Sequence, residues 1–205
     1  MERLLLCNIP FTARKNKEIY KSQDPSLPTT GEAVMYPINS YLGATLSPED
    51  KIKAILIAKQ GMNDCYEKNI QICKEELEEI SNRTGASFDV SVIYTPFVEN
   101  RETHNKLLMD LVNSIPEASR ISVDMTYGPK DLVIVLFTAL HFAANYLDCD
   151  IDNIMYGQSD FDENGKPVNT RLCEMSPLYY LESIISNVRC DDPDKAMKMR
   201  KALLV

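Results

Sequence analysis

No run of eighteen or more apolar residues occurs in this chain, so no segment reads as a membrane-spanning helix. The opening Met1-Glu2-Arg3-Leu4-Leu5-Leu6 is too short for a secretory signal, so the expected compartment is the cytoplasm. Histidine is scarce, with only His104 and His141, and the six cysteines form no C-x-x-C pair. Zinc sites announce themselves by ligands at short spacings, so no metal is expected and the thiols read as reduced and mostly buried. The phosphate loop G-x-x-x-x-G-K-[ST] is missing, and no G-x-G-x-x-G follows the first strand. These absences argue against cofactor-dependent ATPases and dehydrogenases, and no cofactor is expected. Positive charge is also in deficit, with 22 Lys+Arg against 30 Asp+Glu and a net charge of −8. Long DNA or RNA needs a basic face, so it is not an expected partner. A small anionic nucleotide remains possible, because helix N-terminal N–H groups hold phosphate even in an acidic protein.

What is present is an alternation of apolar strands and amphipathic helices. Arg3 to Ile9 is a short apolar run, as in a strand covered on both faces, and Lys51 to Ala58 reads as a second core strand. Residues 87–94, 119–125 and 151–156 read as three further strands. Between them lie helices over about 63–83, 103–115 and 129–147. In the first of these helices, Tyr66, Ile70, Cys73, Leu77 and Ile80 make one apolar stripe, and Gly85 suits its C-terminal cap. Thr12 to Glu32 reads as a polar loop. Ser40 is the expected cap of a short helix ending before Ser47-Pro48. The order predicts a three-layer α/β domain with a mainly parallel sheet and helices on both faces.

Asn164-Gly165 predicts a turn into a hairpin strand at 168–175, followed by a helix from Ser176 to about Asn187. Asp160 to Gly165 imitates the start of an EF-hand loop. Arg171 stands where the twelfth-position Glu is required, so the segment reads as a polar turn. Residues 1–187 are assigned to one domain, and 188–205 to a helical segment opened by Asp192-Pro193. Its apolar end, Ala202 to Val205, leaves two readings open: a link to a further effector domain, or a dimer contact. The helix over 129–147 is apolar almost all round, which points to burial on a second side, as at a subunit interface.

In an open parallel sheet, ligands bind beyond the carboxyl ends of the strands. Asn8-Ile9-Pro10, Asp124 to Lys130 and Tyr156-Gly157-Gln158 should meet there. Thr126 offers a hydroxyl and Gly128 permits close backbone approach. Pro129 opens a helix, and Lys130 adds charge at its positive end. That combination suits a phosphate or ribose. His141 reads as a hydrogen-bonded core residue and His104 as part of a helix start. Cys7 lies beside the site without a histidine to activate it.

Asp124-Met125-Thr126-Tyr127-Gly128-Pro129-Lys130, followed by an apolar helix, resembles the D-x-T-[HY]-G-x-[RK] signature of CARF domains, the Rossmann-like sensors of type III CRISPR systems. Leu4 to Pro10, Tyr36 to Ser40 and Ile154 to Gly157 also resemble segments of that family, over roughly residues 1–185. The resemblance implies a homodimer that binds cyclic tetra- or hexa-adenylate across its two-fold axis and switches an effector. That effector would lie beyond Val205 or on a separate chain. It further implies that Asn8, Ile9 and Pro10 contact ribose or base. Thr126, Tyr127, Gly128, Pro129 and Lys130 would hold phosphate and ribose, beside Tyr156 and Gly157, and Asn39 and Ser40 would line an adenine pocket. Some relatives cut the ring without metal, by attack of each 2′-OH on the adjacent phosphate. Asn8, Thr126 and Lys130 would serve such a ring nuclease here. Tyr127 and Lys130 depart from the His and Arg of many relatives, and tyrosine is a poor general acid at neutral pH. No R-x(4–6)-H ribonuclease motif accompanies either histidine. Two readings outside this resemblance are another nucleotide-binding enzyme of similar architecture and a ligand-free dimerisation domain.

Overall fold

The computed structural model describes residues 3–12, 16–60, 65–187 and 192–203. The main sheet has six strands: β1 (Arg3–Asn8), β4 (Lys51–Gln60), β5 (Ser87–Pro96), β6 (Arg120–Asp124), β7 (Asp150–Phe161) and β8 (Pro167–Glu174). Their spatial order is β5-β4-β1-β6-β7-β8. All neighbours pair in parallel except β7 and β8, which form an antiparallel hairpin. The helices are α1 (Pro37–Thr45), α2 (Cys65–Thr84), α3 (Arg101–Ser114), α4 (Lys130–Tyr146), α5 (Ser176–Asn187) and α6 (Pro193–Leu203). The fold is the expected α/β, Rossmann-like architecture.

Two apolar layers hold it. Alternate residues of each central strand point to opposite faces, so Leu5, Cys7, Leu56 and Ala58 pack under α1 and α2. Leu4, Leu6, Ile55 and Ile57 pack under α3 and α4, together with Tyr179 of α5. Leu4, Leu5 and Leu6 are at most 1% exposed, which explains the unbroken apolar run in β1. Burying each such side chain contributes roughly 1.5–3 kcal/mol.

Three expectations change. Helix α1 begins at Pro37 with Tyr36 at its cap position, and Ser40 lies inside it. Buried carboxylates replace the local cap: Asp124 Oδ2 accepts from Ile38 N–H at 3.3 Å, and Glu76 accepts from Met35 and Tyr36 N–H at 2.7 and 3.1 Å. The segment read as a plain loop carries a two-residue ladder, β2 (Glu18–Ile19) with β3 (Ala33–Val34). It packs back on β8, where Lys21 N–H donates to Thr170 O and Leu172 N–H to Lys21 O. Finally, β7 runs on to Phe161, because its hairpin with β8 supplies pairing beyond Gly157. The Asp162 carboxylate accepts from Asn164 and Lys166 N–H, and Gly165 takes φ 72°, so this segment is a turn closing the hairpin. The suggested first residues of α2 and the last two of the chain lie outside the described residues.

Candidate functional site

The chain enters the sheet at its centre, builds outward through β4 and β5, then returns to β6 beside β1. The strand order therefore reverses between β1 and β6. Their carboxyl ends, Asn8 and Asp124, flank the crevice where loops diverge to opposite faces.

Asn8 is fully buried, and among the described residues neither its Oδ1 nor its Nδ2 has a hydrogen-bond partner. Gly128 covers it. A Cβ placed on Gly128 would stand 3.5 Å from Asn8 Cβ and 2.9 Å from Leu132 Cδ1. Gly128 also has φ +90°, a conformation that disfavours side chains. The loop that carries it is pinned on several sides. Thr126 N–H donates to Asp124 Oδ1 at 2.8 Å, and Thr126 Oγ1 accepts from Gly157 N–H at 2.8 Å. Tyr127 donates its hydroxyl to Met35 O at 3.0 Å and packs edge-on against Tyr36. Pro129 is the cap residue of α4 and supplies no side-chain bond to its first turn. Lys130 is exposed beside it, while Asp131 in the same turn brings a counter-charge.

The structure thus gathers Asn8, Thr126, Gly128, Pro129, Lys130 and Gly157 at one edge. Pro37 of α1 seals the back of Gly157, since a Cβ there would stand 2.3 Å from Pro37 Cγ. Ile9 and Pro10 are buried: Ile9 N–H donates to Ile57 O, and Pro10 O accepts from Asn69 Nδ2. Tyr156 is exposed on the hairpin. Tyr127 is half-buried and turned toward Tyr36, so its ring is not presented like that of a free stacking residue. Asn39 and Ser40 are buried elsewhere. Asn39 donates to Glu76 Oε2 at 2.8 Å, and the Ser40 hydroxyl lies 3.4 Å from that of Thr30.

Cys7 is no nucleophile here. Its contact with the Cys73 thiol, its burial and the nearby Asp124 push it well above the ordinary thiol value. His104 does lie in the first turn of α3, whose cap Asn100 accepts from Thr103 N–H at 2.8 Å. His141 is half-buried, stacked on Tyr179 at 4.5 Å and facing Glu182.

A second polar group, which sequence reasoning missed, lies on the α3/α4 face of the same sheet edge. Lys59, at the end of β4, has a fully buried side chain. Its ammonium bonds Glu99 Oε1 at 2.8 Å and Asp131 Oδ2 at 3.0 Å. His104 Nε2 lies 3.1 Å from Glu99 Oε2 and 3.4 Å from Asp131 Oδ2. Partial burial acts to raise the Asp131 carboxyl, but the Lys59 ammonium holds it below the usual value. Positions 59, 99, 104 and 131 share no motif spacing, so only the strand register and two loops unite them. A hollow of about 550 Å³, lined by Arg3, Asp50, Lys53 and Ser87, lies at the opposite edge. The strand-to-helix loops that build ligand sites are not there, so the chemistry directs attention to the carboxyl edge.

No protein-family model matches the chain. No curated protein matches it either. Among the described residues, no helix is long and apolar enough to cross a membrane.

Proposed function

We propose that the protein is a homodimeric, cytoplasmic CARF-type sensor that binds a cyclic oligoadenylate at the crevice between β1 and β6. The observation that carries this reading is Asn8: a carboxamide with no partner, fully buried at the switch point beneath a glycine. Burying an amide unpaired is unfavourable, and a ligand that supplied both donor and acceptor would relieve it. Gly128 would shift to admit the ring, bringing the N-terminus of α4 and Lys130 to its phosphates.

Support for a dimer comes from α4. It buries Leu132, Val135, Leu136, Ala139, Leu140 and Ala143 inside the domain. On its outer side it leaves Ile134 68% and Tyr146 74% exposed, with Phe142 beside them. A two-fold-symmetric ring matches a two-fold-symmetric pair of crevices. In this reading ring binding shifts the dimer between two arrangements, and the shift controls an effector in type III CRISPR defence.

The test is calorimetric titration with cyclic tri-, tetra- and hexa-adenylate, followed by chromatography of the recovered ligand. The proposal predicts saturable binding of one ring per two chains, with the ligand returned intact. Linear products would make the protein a ring nuclease. Tight binding of AMP or NAD, with no response to any ring, would favour a different nucleotide-binding protein.

A further inference from the structure

Two carboxylates, Glu99 and Asp131, converge on the Lys59 ammonium. Lys59 occupies Glu99 Oε1, leaving Oε2 turned toward His104. One carboxylate oxygen each of Glu99 and Asp131 and one ring nitrogen of His104 lie within 4.8 Å of one another. Ligand atoms about 2.0–2.2 Å from one ion stand roughly 2.8–3.1 Å apart at octahedral angles and roughly 3.3–3.6 Å apart at tetrahedral ones. The His104–Glu99 and His104–Asp131 separations of 3.1 and 3.4 Å fall within these ranges.

One neighbouring hydroxyl points independently to something missing. Thr95 Oγ1 is buried and has no hydrogen-bond partner among the described residues. Thr95 is the β5 register partner of Lys59, so both side chains project from the same face of the sheet. An ion carrying water would give this hydroxyl a partner.

We propose that Glu99, His104 and Asp131 form a site for a first-row divalent cation, with Lys59 orienting both carboxylates from behind. One imidazole and two carboxylates suit ions of the Mn²⁺ to Zn²⁺ series. The ion binds His104 through Nε2, and Lys59 keeps its bond to Glu99 Oε1 as an outer support. Glu99 and His104 are partly exposed, which provides entry. A groove of about 310 Å³, lined by His104, Leu108, Asp131, Ile134 and Thr138, leaves room for water or a ligand at the open positions. The site shares the first turn of α4 with Lys130 but uses none of the residues assigned to the ring, and its metal binding is tested without adenylate.

The probes are the metals alone. Chelator-treated protein is titrated with MnCl₂ and CoCl₂, and the imidazole signals of its two histidines are followed by NMR. The expected result is one ion per chain with Kd at or below about 100 µM. Mn²⁺ broadens His104 and spares His141. His104→Ala and Glu99→Gln each weaken binding at least about 10-fold, whereas His141→Ala does not. Thermal melts of the variants confirm that they remain folded. No saturable binding at millimolar metal overturns the proposal. So does binding that survives His104→Ala, or a Co²⁺ spectrum showing thiolate ligation.

Discussion

Replacing Asn8 by leucine should separate stability from function at the crevice. The Asn8 side chain is fully buried, and both of its amide atoms are unpartnered. Leaving a buried polar group unsatisfied costs about 1–3 kcal/mol, and an apolar side chain of similar shape removes that cost. Leucine shares the branch at Cγ but is bulkier, and Gly128 offers little slack because its backbone approaches Asn8 closely. Allowing for some crowding, the net gain is about 1–2 kcal/mol. In a chain of this length, that raises Tm by roughly 2–8 °C. Leucine can neither donate to nor accept from a nucleotide, so ring affinity should fall at least about 100-fold, the loss that follows from two missing hydrogen bonds to the ligand. The assay pairs calorimetric melting without ligand with titration of the ring. A lower Tm for Asn8→Leu would refute the reasoning, because it would mean that Asn8 is already satisfied in the free protein.

Gly128→Ala should cost about 1–3 kcal/mol in a denaturant melt, through its φ of +90° and the contact with Leu132, and should weaken ring binding as well. Glu76→Leu removes the acceptor of Met35 N–H, Tyr36 N–H and the Asn39 amide. It should cost about 3–5 kcal/mol by urea unfolding, since three buried donors lose their partner together. At Asp50, burial acts upward but is outweighed by bonds from Ser47 N–H and Arg3, so the folded carboxyl lies below its ordinary value. A depressed value stabilises the native state above the unfolded pKa, about 3.9, and that contribution disappears as pH falls through the folded value. Arg3→Met should therefore flatten the acid limb of stability below about pH 4, measured by urea unfolding across pH.

The fold was legible wherever burial left a pattern in the residues. Leu4 to Leu6 and Ile55 to Ala58 are apolar without interruption because α1 and α2 cover one face and α3 and α4 the other. The stripe from Tyr66 to Ile80 announced α2 for the same reason. Alternation failed at Gln158 to Phe161, where pairing with β8 sustains a mostly exposed strand. Capping chemistry misled at Ser40, because distant Asp124 and Glu76 serve the start of α1. At the crevice, the glycine-proline turn and the end of β1 could be read from sequence, since backbone conformation constrains those residue types. The inward turn of Tyr127 could not, because it depends on Met35 and Tyr36, about ninety residues away. The Lys59, Glu99, His104 and Asp131 group left no local trace, because each member looks like an ordinary surface charge until the sheet register assembles them.

Amide hydrogen exchange with and without cyclic tetra- and hexa-adenylate tests the central claim most directly, because it places the ligand as well as detecting it. A saturating ring should slow exchange at Thr126 to Leu132 and at the end of β1, with further protection along α4 if the dimer tightens. Unchanged exchange in those segments, or protection confined to another part of the molecule, would contradict it.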